Sequence, residues 1–128
     1  MGSSHCYEDI TLFLSSFYGY LDTHQDDALI AMFADDGVWY RKEGPAQGKV
    51  AIREVLLARG RSRKTCHLIT NIQISIGVTD TVDVSYYLTV YDNSNGLQAV
   101  AILKMADTLT TDAQGLKLLA KRSTIAIK

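Results

Sequence analysis

A chain of 128 residues suits one hydrophobic core, and 47% hydrophobic with 21% charged residues is ordinary composition for a water-facing globule. The formal net charge of −1 supplies no field to draw the chain onto nucleic acid or an anionic membrane, so neither is expected as a partner. No apolar stretch approaches the ~20 residues that cross a bilayer, and no signal-peptide pattern opens the chain, which makes the cytoplasm the expected location.

The opening MGSSH reads as a frayed terminus. From residue 10 to 21, Ile10, Phe13, Leu14, Phe17 and Leu21 recur at helical spacing and predict a first helix. DTHQDD interrupts it, and Asp26 or Asp27 is suited to cap a short second helix carrying Leu29, Ile30, Met32 and Phe33. ADDG reads as a turn, residues 38–41 as a short strand, and KEGPAQGK, with the only proline, as a loop. A third helix is expected from about Lys49, with Ala51, Ile52, Val55 and Leu56 inward, fraying in the basic segment RGRSRK.

Beyond residue 65 β-branched and aromatic residues dominate, and strands are expected at about 66–78, 82–92, 97–109 and 116–127. DNSNG and TTDAQG read as hairpin turns. Three helices and a short strand followed by a four-stranded meander form one α+β domain over 1–128, with helices covering one face of a curved antiparallel sheet. Cys6 and Cys66 fit no metal spacing and are expected as reduced thiols.

The words YGYLDTHQDDALIAMFADDGVW, GKVAI, TCHLITNIQI and the last strand with Arg122, in this order of elements, resemble the SnoaL-like branch of the nuclear transport factor two-like superfamily. That branch stands beside ketosteroid isomerase, scytalone dehydratase and polyketide cyclases. The resemblance implies a cystatin-like cone, a curved antiparallel sheet wrapped around the long N-terminal helix with three helices in all, and an apolar cavity open at one end. It also implies a homodimer and a small hydrophobic ligand oriented by a few polar groups. Where many relatives have Gly-Trp opening the last strand, this chain has Gly115 and Leu116, a change that bears on the end of any pocket.

Asp22 follows Tyr18 by one helical turn on the flank of the apolar stripe, so both side chains can reach such a cavity. A carboxylate drawn partly out of water is a better proton acceptor near neutrality, which makes Asp22 the first candidate base; its other reading is a turn cap. By resemblance, LDTHQDD and TCHLITN align with the dehydratase segments that supply an aspartate and a histidine to the active site, so His67 is the second candidate. Strict alternation raises a conflict. It groups His67 with Ile69 and Asn71 against Leu68, Ile72, Ile74 and Ile76. Either a bulge near Thr70 switches the face, or both sides of the sheet are covered, one by helices and one by a partner subunit; His67 then lies in the pocket or at an edge or interface.

Asn71 is a candidate to orient His67 or donate to a substrate oxygen. Trp39, Tyr40, Tyr87 and Tyr91 are candidate cavity walls, with Tyr87 and Tyr91 on one face and Tyr86 on the other. Tyr18 or Tyr91 is the expected oxyanion donor. Asp35 and Asp36 read as turn chemistry, the Arg59–Lys64 cations as a solvated helix end, and Asp107 with Arg122 as a supporting ion pair.

The sequence has no phosphate-cradling loop, nucleophile elbow, helical histidine pair or dinucleotide fingerprint, so no cofactor and no metal are expected. The leading expectation is a cofactor-independent acid/base enzyme, of isomerase, dehydratase or cyclase type, acting on a small apolar carbonyl or hydroxyl compound. Asp22, His67 and Tyr18 are its catalytic candidates. The alternative is a noncatalytic ligand-binding dimer or a small subunit related to those of ring-hydroxylating oxygenases, although this chain is shorter than most such subunits.

Overall fold

The computed structural model describes residues 7–76, 80–93 and 96–127. The N-terminal MGSSH segment, Cys6 and the centre of the DNSNG turn lie outside the described residues. Three helices, α1 (Tyr7–Asp22), α2 (Asp26–Ile30) and α3 (Gly48–Ala58), accompany β1 (Phe33–Arg41), β2 (Gly44–Gln47), β3 (Thr65–Ile76), β4 (Val82–Asp92), β5 (Gln98–Asp112) and β6 (Gly115–Ile127). The strands form one six-stranded sheet in the order β2-β1-β6-β5-β4-β3. It is mixed, because β1 runs parallel to β6 while every other pair is antiparallel.

The apolar stripe of α1, with Ile10, Leu14, Phe17, Tyr18 and Leu21 buried, packs on the concave face of the sheet, where Val84, Tyr86, Leu88, Met105, Leu109 and Leu118 meet it. α1 ends in a left-handed residue, His24 at φ 57°, and the backbone N–H of Gln25 closes the turn on the Tyr20 carbonyl at 2.9 Å. α2 is shorter than expected. Its N-cap is Gln25, with no side-chain cap, while Asp26 and Asp27 occupy the first turn, where they suit the helix dipole and pair with Arg61 and Arg53 at 2.8 Å each.

The ADDG turn falls within β1, and of the KEGPAQGK loop Gly44–Gln47 become strand, Lys42 and Glu43 remain a turn, and Gly48 and Lys49 open α3. Residues 34–37 belong to β1, whose pairing with β6 shifts between Phe33 and Val38. Gly37 is needed there, since a Cβ would lie 2.7 Å from the Leu118 carbonyl oxygen. Pro45 sits in β2, at the edge of the sheet, where its missing N–H leaves no ladder bond unmade.

The conflict of faces in β3 is resolved by a bulge. The β3–β4 register shifts between Thr70 and Gln73, and Asn71 takes the left-handed conformation at φ 56°. His67 and Ile69 before the bulge, and Ile72 and Ile74 after it, are thereby all the more covered residues of their strand. No helix among the described residues is long and apolar enough to cross a membrane.

Candidate functional site

Asp22 is the last residue of α1, an unfavourable place for an anion because the helix dipole presents its negative end there. Three donors from the start of β3 offset this. Thr65 Oγ1 donates to Asp22 Oδ1 at 2.8 Å, the His67 backbone N–H to Oδ2 at 3.0 Å, and the His67 ring to Oδ1 at 2.6 Å. A carboxylate only accepts, so Nδ1 carries the ring proton and Nε2 of the neutral imidazole presents a lone pair. The His67 side chain is 6% exposed and that of Asp22 20%, so the pair is screened from water but not sealed. Burial lowers the pKa of His67, and the nearby Arg59 and Arg63 cations push the same way, against the hydrogen bond and charge of Asp22. The result is an imidazole kept neutral near pH 7, oriented by a carboxylate, which is the arrangement of a general base.

Beneath it lies a fully buried polar cluster. Tyr18 stacks on His67, centroids 5.3 Å apart, and its hydroxyl lies 2.7 Å from that of Tyr86. Lys121 Nζ donates to Asp107 Oδ2 at 2.8 Å, to Tyr86 Oη at 2.9 Å and to Tyr18 Oη at 3.0 Å, which uses all three of its protons. Tyr86 Oη donates to Asp107 Oδ2 at 2.6 Å, so the proton between the two phenols comes from Tyr18. Burial, chiefly, raises the pKa of Tyr18 and raises that of Tyr86 further. Burial alone would lower that of Lys121, but Asp107, Tyr18 and their hydrogen bonds outweigh it and the ammonium is held above its ordinary value. The hydroxyl of Tyr18 is therefore committed inward and can only accept a further bond, so it cannot act as an oxyanion donor in this arrangement. Its ring supports the imidazole instead.

The structure thus joins Asp22, His67 and Tyr18. Trp39 also lies inside, edge-on to Phe17 at 5.7 Å and stacked on Phe33 at 6.0 Å. Four other candidates point elsewhere. Tyr87 and Tyr91 lie on the outer face with Cys66 and Leu68, because Tyr86, Leu88 and Val90 take the concave side of β4; this removes Tyr91 as an oxyanion donor. Tyr40 is 38% exposed and lies under the Arg122 guanidinium at 4.4 Å, also outside. Asn71 is exposed, since the bulge that turns Ile72 inward turns it out. Arg122 is opposite Ala106, so the partner of Asp107 is Lys121, its direct cross-strand neighbour.

Tyr86 and Lys121 were not anticipated. The row Val82, Val84, Tyr86, Leu88, Val90 alternates with Asp83, Ser85, Tyr87, Thr89, Tyr91, a contrast that marks Tyr86 as the inward tyrosine. Nothing comparable marks Lys121. Arg59 is half-buried rather than solvated, donating to Thr65 Oγ1 at 3.3 Å, so it stands directly behind the Asp22 carboxylate. Burial, chiefly, lowers its pKa. The described residues hold no cluster of His, Cys, Asp and Glu able to bind a metal.

Helices laid on the concave side of a curved, unclosed mixed sheet define the cystatin-like, nuclear transport factor two-like class. The chain belongs to the SnoaL-like domain family, whose model matches residues 3–122. Among solved structures it is similar to ActVI-ORFA from Streptomyces coelicolor, at 19% identity over 94% of this chain and 96% of that one, with a TM-score of 0.85. A protein of cystatin-like fold from Nostoc punctiforme matches at 22% identity over 96% and 95%, TM-score 0.81. The β subunit of the benzoate 1,2-dioxygenase from Burkholderia mallei matches at 13% identity over 96% and 92%, TM-score 0.82. No curated protein matches the chain.

Proposed function

We propose that Asp22 and His67 form the acid/base centre of a cofactor-independent enzyme that removes a proton next to the carbonyl of a small, largely apolar substrate. The observation that carries this is the 2.6 Å bond from His67 Nδ1 to Asp22, which leaves Nε2 free to accept a proton. It departs from the roles expected from the sequence, Asp22 as base with His67 as an assisting acid or relay: here the imidazole is the base and the carboxylate orients it. The substrate proton passes to Nε2, the carbon–hydrogen electron pair moves onto the carbonyl oxygen as an enolate, and Asp22 stabilises the imidazolium. Return of that proton to a different carbon is isomerisation, delivery to a departing hydroxyl is dehydration, and attack by the enolate carbon on a second carbonyl is cyclisation. Membership of the SnoaL-like family supports this group of reactions.

The test is deuterium exchange at the α-carbons of 2-tetralone in heavy water, followed by proton NMR. Wild type is expected to accelerate exchange, and Asp22→Asn to lower the rate by about 10³- to 10⁴-fold by destroying the orientation and tautomer of the ring. Equal rates in wild type and Asp22→Asn would sink the assignment. The reading includes a homodimer formed through the outer face of the sheet, where Leu68 and Tyr40 are exposed and Tyr87 and Tyr91 lie. Sedimentation at micromolar concentration checks it, a monomer being the contrary result.

A further inference from the structure

The concave face has a second polar group that the acid/base centre does not use. Trp39 is inside, so alternation along β1 turns Arg41 to the same side, while Tyr40 between them points out. The parallel register pairs Trp39 with Lys121, and the same register continued by two residues sets Arg41 level with Ser123. Ser123 lies opposite Met105, and Met105 opposite Tyr86. The next row along the sheet is apolar throughout: Ile125, Leu103, Leu88 and Ile69, in register across four strands, with Leu88 buried and Ile125 exposed. One row further, His67 stands opposite Val90. The sheet here is a greasy floor with an imidazole at one side and a guanidinium at the other. At its β6 side the floor is uncovered, Ile125 being 57% exposed and Ser123 also open to solvent.

Arg41 is poorly satisfied. Its Nε is buried and has no acceptor among the described residues. Its Nη1 reaches Glu43 Oε1 only at 3.3 Å, and that carboxylate is 69% exposed, a contact of the kind that adds little stability. A buried guanidinium N–H without an acceptor is costly, and the edge of an arginine that includes Nε matches a carboxylate through two parallel hydrogen bonds. From β1 to β3 is four strand spacings, about 19 Å along the sheet and less across its concave side. A two-ring skeleton with a carboxylate is of the right order of length to lie between.

We propose that Arg41 is the carboxylate-binding group of this site, and that the substrate is an organic acid whose aromatic or alicyclic skeleton rests on the Leu103 and Ile125 part of the floor, between Arg41 and His67. The proposal rests on the reading of His67 as the base and specifies its substrate class. The carboxylate fixes the end of the molecule remote from the reaction, so that orientation comes from a group that does not react. Glu43 occupies the guanidinium in the meantime and is displaced by the ligand.

The experiment compares 2-naphthoate with its neutral counterpart 2-naphthamide as ligands of the purified protein, by calorimetry at low salt. Wild type is expected to prefer the acid by about 10- to 100-fold, as a hydrogen-bonded charge requires. Arg41→Gln should erase the preference and Arg41→Lys recover part of it. Glu43→Gln, an exposed change that spares the fold, should tighten naphthoate binding and leave naphthamide unchanged. Equal affinities in wild type, no naphthoate binding, a preference that survives Arg41→Gln, or a Glu43→Gln variant indifferent to the charge would each overturn the proposal. Binding of these unreactive ligands is read independently of tetralone exchange, so the guanidinium and the base can fail separately.

Discussion

Replacing Lys121 by methionine isolates the energetics beneath the site. The side chain is 1% exposed and that of Asp107 0%, and methionine keeps nearly the same length, so the cavity contribution is small. What is lost is the charge and three hydrogen bonds, to Asp107, Tyr86 and Tyr18. Among the described residues Asp107 would keep only the Tyr86 hydroxyl as a side-chain donor, while its Oδ1 already has none. Removing one partner of a buried ion pair costs ~3–5 kcal/mol, because the other charge is left in a medium that cannot solvate it. For a chain of this size that corresponds to a fall in Tm of roughly 10–20 °C. Urea and thermal unfolding measure it, and the companion variant Asp107→Leu/Lys121→Met separates causes. Removing both charges should recover much of the loss, since an apolar pair of similar volume carries no desolvation cost. A single-variant loss below about 1 kcal/mol, or a double variant no better than the single one, would refute the view that Lys121 is held by the buried charge of Asp107.

Exchange activity should have an acid limb below pH 6.5, because burial lowers the pKa of His67 and only the neutral ring accepts a proton. Arg59→Gln removes a cation that lowers that pKa, so the limb should move to higher pH in a rate profile; movement the other way would contradict the geometry. The same depressed group makes folding stability rise with pH through the interval below 6.5, as the unfolded chain binds the extra proton. At the alkaline end the sign reverses. Tyr18, Tyr86 and Lys121 all hold their protons above their ordinary values of 10.0 and 10.5, so denaturation by urea should ease progressively once the pH exceeds about 10. Asn71→Ala should cost ~1 kcal/mol through the left-handed backbone at φ 56°, and Asn71→Gly less or nothing, with tetralone exchange unaffected by either; a loss of exchange would return Asn71 to the site.

Much of the architecture is legible in the chain because periodicity and turn chemistry are local. The helical stripe of Ile10, Leu14, Phe17 and Leu21, and the four long β-rich runs, sit within a few residues of α1 and β3 to β6. The errors of element type fall where a distant strand decides. ADDG is carried within β1 because Phe33 and Val38 on either side of it pair with β6, and the segment around Pro45 becomes β2 because β1 offers it an edge.

For the site, the sequence by itself determined that an aspartate ends the first helix and a histidine opens the third strand, since each identity follows from a position within one element. Which face His67 occupies was decided by one unpaired residue at Asn71, and a one-residue slip reverses every side chain beyond it. That Lys121 rather than Arg122 answers Asp107, and that Tyr86 rather than Tyr87 reaches Tyr18, followed from cross-strand register. Register is set by the pairing of segments far apart in the chain. Only the assembled sheet, in which a buried charge must find its neutralising partner across a strand, selects among them.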